Sequence, residues 1–285
     1  MLHFIPSFPP DCFLYIMANI VLIGFGNVGQ HLCKALHAAG HTILQVVTKQ
    51  SVPNQAFTTL LPHTQWITQY NQINPDAHFY LIAVPDNAIG SVALQLPHTL
   101  GIVAHTSGST PLTALGNHPN TGIFYPLQTF TKHHAVNFDN IPFCIHANNE
   151  PAIAALDNLA KTLSPMVFRI TDEQRSILHV AAVFANNFTN HLCAIAHQIC
   201  TQYEMPFEVI KPLIAETCRK IQTNLPQTIQ TGPAIRSDYN TLLKHLQLLH
   251  NQPRYAQLYK ELTLSILNMY NLNTEPIHNA LLPDG

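Results

Sequence analysis

A glycine-rich turn that directly follows a short apolar segment constrains this chain more than any other feature of its sequence. Residues 20–23 (IVLI) have the composition of a buried strand, and they run straight into the turn 24–29 (GFGNVG). The stretch 27–39 that follows has the apolar periodicity of an amphipathic helix. A strand, a turn with glycine at its first, third and sixth positions, and a helix together form the unit that holds the diphosphate of a dinucleotide. We therefore expect a nucleotide site here, and a glycine turn that binds nothing is the alternative.

Each glycine of the turn has a separate expected task. Gly24 permits the tight turn, Gly26 lets the backbone approach the diphosphate, and Gly29 lets the helix pack closely on the strand. The unpaired N–H groups and the partial positive charge at the helix N-terminus favour a bound anion. The expected cofactor contacts at this turn are Gly24, Phe25, Gly26, Asn27, Val28 and Gly29.

The end of the second predicted strand, 42–47, indicates which dinucleotide is preferred. An acidic residue at this point would bind the ribose 2′-hydroxyl of NAD, but the chain continues with Thr48, Lys49, Gln50 and Ser51. Lys49 is suited to a 2′-phosphate, with help from the Thr48 and Ser51 hydroxyls. We expect NADP to be preferred, with NAD as the alternative, unless Lys49 is merely a solvated loop residue.

Short apolar segments alternate with helical stretches through the first half of the chain. The predicted strands are 19–23, 42–47, 79–84, 101–105, 122–125, 143–145 and 166–170, and the predicted helices are 27–39 and 151–163. This alternation is typical of a mostly parallel sheet covered on both faces. We expect residues 17–170 to form a doubly wound α/β domain of the Rossmann type.

After about residue 171 the strand-like segments stop and long helical periodicities take over. The predicted helices are 175–203, 206–223, 239–250 and 256–270. We therefore expect residues 171–285 to form an all-α domain, with a frayed tail after residue 271. Residues 1–16 contain several prolines, and we expect them to be a disordered or loosely packed extension.

Composition excludes several classes of function. Charged residues make up 10% of the chain, and 13 Lys plus Arg nearly balance 15 Asp plus Glu, so we expect neither nucleic-acid nor membrane binding. The six cysteines form no C-x-x-C pair, which indicates free thiols in a reducing compartment, and hence a cytoplasmic protein. The 18 histidines lack the spacings of metal ligands, so we expect no metal.

Two later segments should lie at the carboxyl ends of neighbouring strands, where a dinucleotide crosses such a sheet. The backbone of Val84 and Pro85 is expected to contact the cofactor, whereas Asp86 is expected first of all to cap a helix. Ser107 could approach the nicotinamide. The alternative for Ser107 and its neighbours is a hydroxyl-rich turn that caps the next helix.

Four polar residues share the spacing of one helix face, namely Arg175, His179, Asn186 and Asn190. The residues between them are apolar, which predicts a mostly buried helix whose polar groups need partners. A structural hydrogen-bond network and a substrate site both satisfy this need. In the second case His179 would act as the general acid, while Asn186 and Asn187 would position the substrate.

A polar turn at 231–238 leads into the third predicted helix. Ser237 or Asp238 could cap that helix, and Arg236 could bind a substrate carboxylate or pair with Asp238. Glu216 is a candidate partner for Arg236 or His179, unless it is simply a solvent-facing helix residue.

The stretches 105–109 (HTSGS), 125–130 (YPLQTF), 179–188 (HVAAVFANNF) and 231–238 (TGPAIRSD) together carry a family resemblance. With them the chain resembles a bacterial family of Rossmann-like proteins assigned as NADP oxidoreductases, in which an all-helical domain of unknown function follows the dinucleotide domain. More distantly it is similar to pyrroline-5-carboxylate reductase and to the 6-phosphogluconate and hydroxyisobutyrate dehydrogenases. The resemblance implies an active site between the domains and a homodimer formed through the helical domain. The expected substrate-binding residues are Ser109, Gln128, Asn190 and Arg236.

One departure limits this resemblance. The hydroxyacid dehydrogenases use a lysine on the first interdomain helix, whereas this chain has His179 in the comparable stretch. We expect an oxidoreductase acting on a small polar, acidic metabolite. The alternatives are a non-catalytic NADP-binding sensor and a turn that holds a flavin or another nucleotide.

Overall fold

The computed structural model describes residues 17–49, 55–132 and 134–280. The expected extension 1–16 and the proposed 2′-phosphate contact Ser51 therefore lie outside the described residues. The chain divides into two compact units after Phe184, and each unit is described by itself.

The first unit is built on an eight-stranded sheet. Its strands are β1 (Asn19–Ile23), β2 (Thr42–Val47), β3 (Gln65–Ile67), β4 (Phe79–Ile82), β5 (Ile102–His105), β6 (Thr121–Pro126), β7 (Phe143–Ala147) and β8 (Val167–Arg169). Their spatial order is β3-β2-β1-β4-β5-β6-β7-β8. All neighbouring pairs are parallel except β6 with β7. The first six strands thus have the order of the predicted doubly wound dinucleotide fold.

Helices cover both faces of this sheet, because alternate residues of each buried strand point to opposite sides. The helices of the unit are α1 (Asn27–Ala38), α2 (Gln55–Leu60), α3 (Ile89–Ala93), α4 (Glu150–Lys161) and α5 (Asp172–Ala182). Ile20 and Leu22 of β1 pack in the same cluster as α1 and α4. Val21 and Ile23 belong to the cluster on the other face, which includes α3. The glycine turn is thereby held between two packed layers.

The second unit is helical. Its helices are α6 (Thr189–Gln202), α7 (Lys211–Thr223), α8 (Tyr239–Leu248), α9 (Pro253–Met269) and α10 (Glu275–His278). Leu242, Leu267 and Ile277 form part of its core. Because Ile277 is fully buried, the expectation of a frayed tail after residue 271 was wrong.

The long helix predicted over 175–203 is interrupted. A π-helical turn, Val183–Phe188, separates α5 from α6. A π turn inserts one extra residue into the helical repeat, so the regular spacing that placed four polar residues on one face does not continue through it. The helix is also not buried as predicted, because Ile177 is 67% and Val180 is 54% exposed.

No helix in the described ranges is both long and apolar enough to cross a membrane. Nor do three or more His, Cys, Asp or Glu side chains come together there in an arrangement that could hold a metal ion.

Candidate functional site

The turn between β1 and α1 has the backbone geometry that its glycines predict. Gly24 has a φ of +99°, and a Cβ at this position would lie 2.4 Å from the carbonyl oxygen of Ala83 at the end of β4. A Cβ on Gly29 would lie 2.2 Å from the carbonyl oxygen of Gly24. A Cβ on Gly26, by contrast, would meet no atom within 4 Å. Gly24 and Gly29 are therefore required by the packing, whereas Gly26 faces open space.

The N-terminus of α1 opens at the same place. Gly26 is its N-cap residue, no side chain caps it within the described residues, and its first turn carries no acidic residue. The unpaired N–H groups and the positive end of the helix dipole are thus available to an anion. The open space at Gly26 and this uncapped 12-residue helix together fit the diphosphate of a dinucleotide.

The other side chains of the turn are engaged within the protein. The Phe25 ring packs edge-on against Phe57 and Trp66, with centroid distances of 4.7 and 4.9 Å. The Asn27 amide donates a hydrogen bond to the carbonyl oxygen of Phe130 at 3.0 Å, and Val28 packs against the core. These side chains shape the turn, so contacts with a cofactor would come from its backbone.

At the end of β2 the structure leaves a positive charge exposed. The Thr48 N–H donates to the carbonyl oxygen of Ile67 at 3.0 Å, and Lys49 is exposed to solvent. Both residues follow the strand next to β1, at the same edge of the sheet as the glycine turn. This placement is the one expected for a cation that binds a ribose phosphate.

The ends of β4 and β5 approach each other through a hydrogen bond between side chains. Val84 packs beneath the glycine turn, with its Cγ1 2.9 Å from where a Cβ of Gly24 would lie. Pro85 precedes a short 3₁₀ turn, Asp86–Ala88, to which Asp86 gives no side-chain cap. Instead the Asp86 carboxylate accepts a hydrogen bond from Ser109 Oγ at 2.6 Å. The predicted capping role of Asp86 was therefore wrong.

The turn after β5 holds itself together through Ser107. This buried side chain accepts hydrogen bonds from the N–H groups of Ser109 and Thr110 at 3.1 and 3.0 Å. His105 Nδ1 accepts from the Ser107 N–H at 3.2 Å. Burial, with a smaller contribution from the Arg175 guanidinium, lowers the pKa of His105 to about 4, so its ring is neutral at physiological pH. The geometry favours the hydroxyl-rich turn, one of the two alternatives for Ser107.

A tyrosine and a histidine meet directly above this turn. Tyr125, near the end of β6, has its hydroxyl oxygen 3.2 Å from Nδ1 of His179 on α5. A Cβ on Gly108 would lie 2.7 Å from that Nδ1 and 2.9 Å from the tyrosine oxygen. The two side chains therefore pack directly against the backbone of Gly108, where a larger residue would not fit. Burial raises the pKa of Tyr125 to about 12, which keeps the phenol protonated.

One turn earlier on α5, an ion pair ties the helix to the same loop. Arg175 is fully buried, and its guanidinium donates to the Asp172 carboxylate at 2.6 Å and to the carbonyl oxygen of Thr110. Asp172 also accepts from the N–H of Leu112 at 2.7 Å. The polar face of α5 is therefore a structural network at Arg175, whereas a substrate site at His179 stays a prediction.

The remaining predicted residues are exposed. Gln128 lies on the loop after β6, where its side-chain oxygen accepts from the N–H of Thr129 at 2.8 Å. Asn186, Asn187, Asn190 and Arg236 belong to the second unit and are exposed. Their expected roles as substrate-binding or catalytic residues stay predictions.

Two other predictions in the second unit have clear outcomes. Asp238 caps α8 by accepting from the Thr241 N–H, so the predicted cap is confirmed. Glu216 pairs with Arg219 at 2.8 Å and with Lys220 at 3.4 Å on its own helix. It is thus a surface helix residue, the second of the alternatives stated for it, and no ion pair links it to Arg236 in the described part of the chain.

Three residues of the site were not given roles from the sequence: Tyr125, Gly108 and Asp172. A sequence signal existed for the first two, because Gly108 follows one predicted strand and Tyr125 ends the next, at the sheet edge where sites form. Asp172 carried a weaker signal, an acidic residue in the first turn of a helix.

Comparisons with known proteins match two successive regions of the chain, and the second region begins inside the first unit. Residues 16–128 match the family model described as a Rossmann-like domain, and residues 141–266 match the domain of unknown function DUF2520. None of the curated proteins matches the sequence.

Several solved structures share this architecture. One is the “putative NADP oxidoreductase BF3122 from Bacteroides fragilis”, which is 38% identical, with a TM-score of 0.79 over 88% of this chain and 98% of that one. Protein TM1727 from Thermotoga maritima is 18% identical, with a TM-score of 0.69 over 88% and 98% of the two chains. An imine reductase from Myxococcus stipitatus in complex with NADP+ is 13% identical, with a TM-score of 0.60 over 89% and 94%. The last two similarities show the fold alone.

Proposed function

Because the chain belongs to the family of the Bacteroides fragilis protein, we propose that it is an oxidoreductase that uses NADP, with NAD as the alternative. The observation that carries this proposal is the open backbone at Gly26, directly at the uncapped N-terminus of α1. A Myxococcus stipitatus protein of the same fold is an imine reductase in complex with NADP+, which supports the same assignment.

Separate parts of the sheet edge would hold the parts of the cofactor. The N–H groups at the start of α1 would bind the diphosphate, and Lys49 with Thr48 would bind the 2′-phosphate. The backbone of Val84 and Pro85, beside the glycine turn, would pass under the cofactor towards the turn after β5. In this arrangement the protein supplies position and charge.

The chemistry that a bound NADPH supplies is transfer of a hydride to an electrophilic carbon. Reduction of a C=O or C=N bond also requires one proton on the oxygen or nitrogen. His179 is the proton donor in this proposal, because the fold holds its imidazole against the turn after β5 and imidazole is the commonest general acid in enzymes. We propose a small polar metabolite with such a bond as the substrate.

A ligand panel tests the proposal. The full chain is unfolded thermally with NADPH, NADH, flavin mononucleotide and ATP, and a ligand at one hundred times its dissociation constant stabilises by about 2.7 kcal/mol. We expect NADPH to give the largest increase in melting temperature. If no dinucleotide stabilises the protein, the oxidoreductase assignment is wrong, and if NADH stabilises it more than NADPH, the role of Lys49 is wrong.

Turnover is tested separately by following NADPH absorbance with a set of cyclic imines, 2-oxo acids and aldehydes. For any compound that is reduced, His179→Gln should slow the reaction about 100-fold, the lower end of what general acid catalysis contributes, while NADPH still stabilises the variant. Loss of NADPH binding in His179→Gln would instead place this residue in the nucleotide site.

We also propose that the protein is a homodimer that uses its helical unit. Large apolar side chains on helices of that unit are exposed in the single chain, among them Leu213 at 66% and Met269 at 64%. Exposed apolar side chains in such numbers are typical of association surfaces. Light scattering coupled to gel filtration should give twice the chain mass, and a monomer at micromolar concentration would contradict the proposal.

A further inference from the structure

We infer that Tyr125 is the positioning residue for His179: its hydroxyl engages Nδ1, so that Nε2 is the ring nitrogen that exchanges a proton with the substrate. The inference rests on the proposed function, because it specifies the geometry of the proton donor in that reaction. The observation behind it is the 3.2 Å contact between the tyrosine oxygen and Nδ1.

The hydrogen bond between the Tyr125 hydroxyl and the His179 ring determines which ring nitrogen remains available to the substrate. Tyr125 is 9% exposed, and its hydroxyl forms a hydrogen bond with His179 Nδ1. When the ring is charged, its Nδ1–H donates to the phenol oxygen, and its Nε2–H is left for the substrate. Transfer of the Nε2 proton to the substrate leaves a neutral ring that keeps its proton on Nδ1 and its hydrogen bond to the phenol. The same contact therefore orients the ring in both protonation states.

The groups around the phenol keep it in its protonated form. Burial raises the pKa of Tyr125 most, and the negative charges of Asp86 and an ionised Cys144 would raise it further. The Arg175 guanidinium lowers it by a smaller amount, and the result is about 12. Near neutral pH the tyrosine is thus an uncharged hydrogen-bond partner for His179.

The backbone beneath the pair fixes its position. A Cβ on Gly108 would lie 2.8 Å from the ring carbon Cζ of Tyr125, as well as within 3 Å of both hydrogen-bonding atoms. Any side chain at 108 would therefore push the two rings apart. On the helix side, Arg175 holds α5 to the loop through the carbonyl oxygen of Thr110, one turn before His179. The loop that follows β5 thus constrains the positions of both Tyr125 and His179.

Nitrogen NMR tests this inference without cofactor or substrate. The full chain is labelled with ¹⁵N-histidine, and the two ring nitrogens of each histidine are identified in long-range ¹H–¹⁵N spectra about two units above the ordinary histidine pKa of about 6.5. His179→Gln assigns the His179 signals by their loss. The variants under test are Tyr125→Phe and Gly108→Ala, because the added methyl group at 108 must separate the pair even if the phenylalanine variant folds poorly.

The chain provides matched controls. Tyr259 forms a similar contact with Nδ1 of His245, at 2.7 Å, within the second unit, so Tyr259→Phe should change the His245 signals and leave those of His179 unchanged. Gly90→Ala places a methyl group 3.6 Å from its nearest neighbour and should change neither. Unchanged His245 signals in Tyr125→Phe also show that the second unit stays folded.

We expect neutral wild-type His179 to carry its proton on Nδ1 and to show the resonance of an unprotonated Nε2. Both test variants should remove the hydrogen bond to Nδ1 and raise the share of the Nε2–H form. A wild-type ring protonated mainly on Nε2, or an Nδ1 resonance that Tyr125→Phe leaves unchanged, would overturn the inference. Failure of the ligand panel would refute the proposed function and would leave this spectrum as it is.

Discussion

Replacing Gly26 by alanine should weaken nucleotide binding strongly while leaving the fold intact. Its backbone is extended, with φ of −76° and ψ of −160°, which alanine adopts readily, and the new methyl group would meet no protein atom within 4 Å. Alanine is a poorer N-cap than glycine, but it also restricts the unfolded chain, and each effect amounts to about 0.5–1 kcal/mol. Since the two oppose each other, the free energy of unfolding without ligand should change by less than about 0.5 kcal/mol.

The effect on binding should be much larger, because the methyl group would stand where the diphosphate approaches the N–H groups of α1. Losing one or two charge-assisted hydrogen bonds corresponds to about 3 kcal/mol, or roughly 100-fold in the dissociation constant. A concentration of NADPH that stabilises the wild type by about 2.7 kcal/mol would then stabilise the variant by about 0.4 kcal/mol. Urea unfolding with and without NADPH measures both quantities.

Gly24→Ala is the contrasting variant. Its backbone has φ of +99°, and its Cβ would lie 2.4 Å from the carbonyl oxygen of Ala83, so the ends of β1 and β4 would have to separate. The left-handed conformation costs about 1–2 kcal/mol and the overlap about 1–3 kcal/mol, which should lower the free energy of unfolding even without nucleotide. If Gly26→Ala binds NADPH as tightly as the wild type, the diphosphate does not lie on this turn and the reasoning is refuted.

The other predictions concern charge. Lys49→Ala should weaken NADPH binding about tenfold with little effect on NADH, measured by calorimetry, whereas the exposed Lys161→Ala should change neither affinity. Arg175→Met should lower the free energy of unfolding by about 3 kcal/mol, the lower end of the range for a broken buried ion pair. The lower end applies because the Asp172 side chain is 33% exposed and can be solvated. An unchanged urea midpoint would contradict this prediction. The buried His105 has its pKa lowered from an ordinary value near 6.5 to about 4, so the unfolded chain takes up the proton first and stability should fall as the pH drops from about 6.5 to 4. His105→Gln should remove up to about 3 kcal/mol of that fall, and equal pH slopes in the two proteins would refute the assignment.

Sequence patterns predicted the parts of this fold that depend on local repetition. The strand before the glycine turn and the helix after it were expected at 19–23 and 27–39 and are found at Asn19–Ile23 and Asn27–Ala38. The strand Gln65–Ile67 and the short helices α2 and α3 were missed. Each has six residues or fewer, which is too few for a period to be visible, and their structure depends on the neighbouring strands.

The candidate site was predictable only in part for a related reason. Residues at the carboxyl ends of parallel strands are brought together by topology, and this rule placed the glycine turn, Lys49 and the turn at Ser107. The contact between Tyr125 and His179 joins residues that lie 54 apart in the chain, and no local pattern encodes it. The π turn Val183–Phe188 likewise has no signal in the sequence, so the single helix face predicted across it from regular spacing was unreliable.

The reversed strand β7 has a consequence for how this protein can change its chemistry. A helix that follows a strand folds back along it, and in an all-parallel sheet it would run away from the edge that binds nucleotides. Because β7 and β8 run opposite to the first six strands, α5 runs back towards that edge and carries His179 to Tyr125. The proposed proton donor therefore stands on an element separate from the glycine turn, so a substitution at 179 should alter the proposed reaction and leave the proposed nucleotide site unchanged.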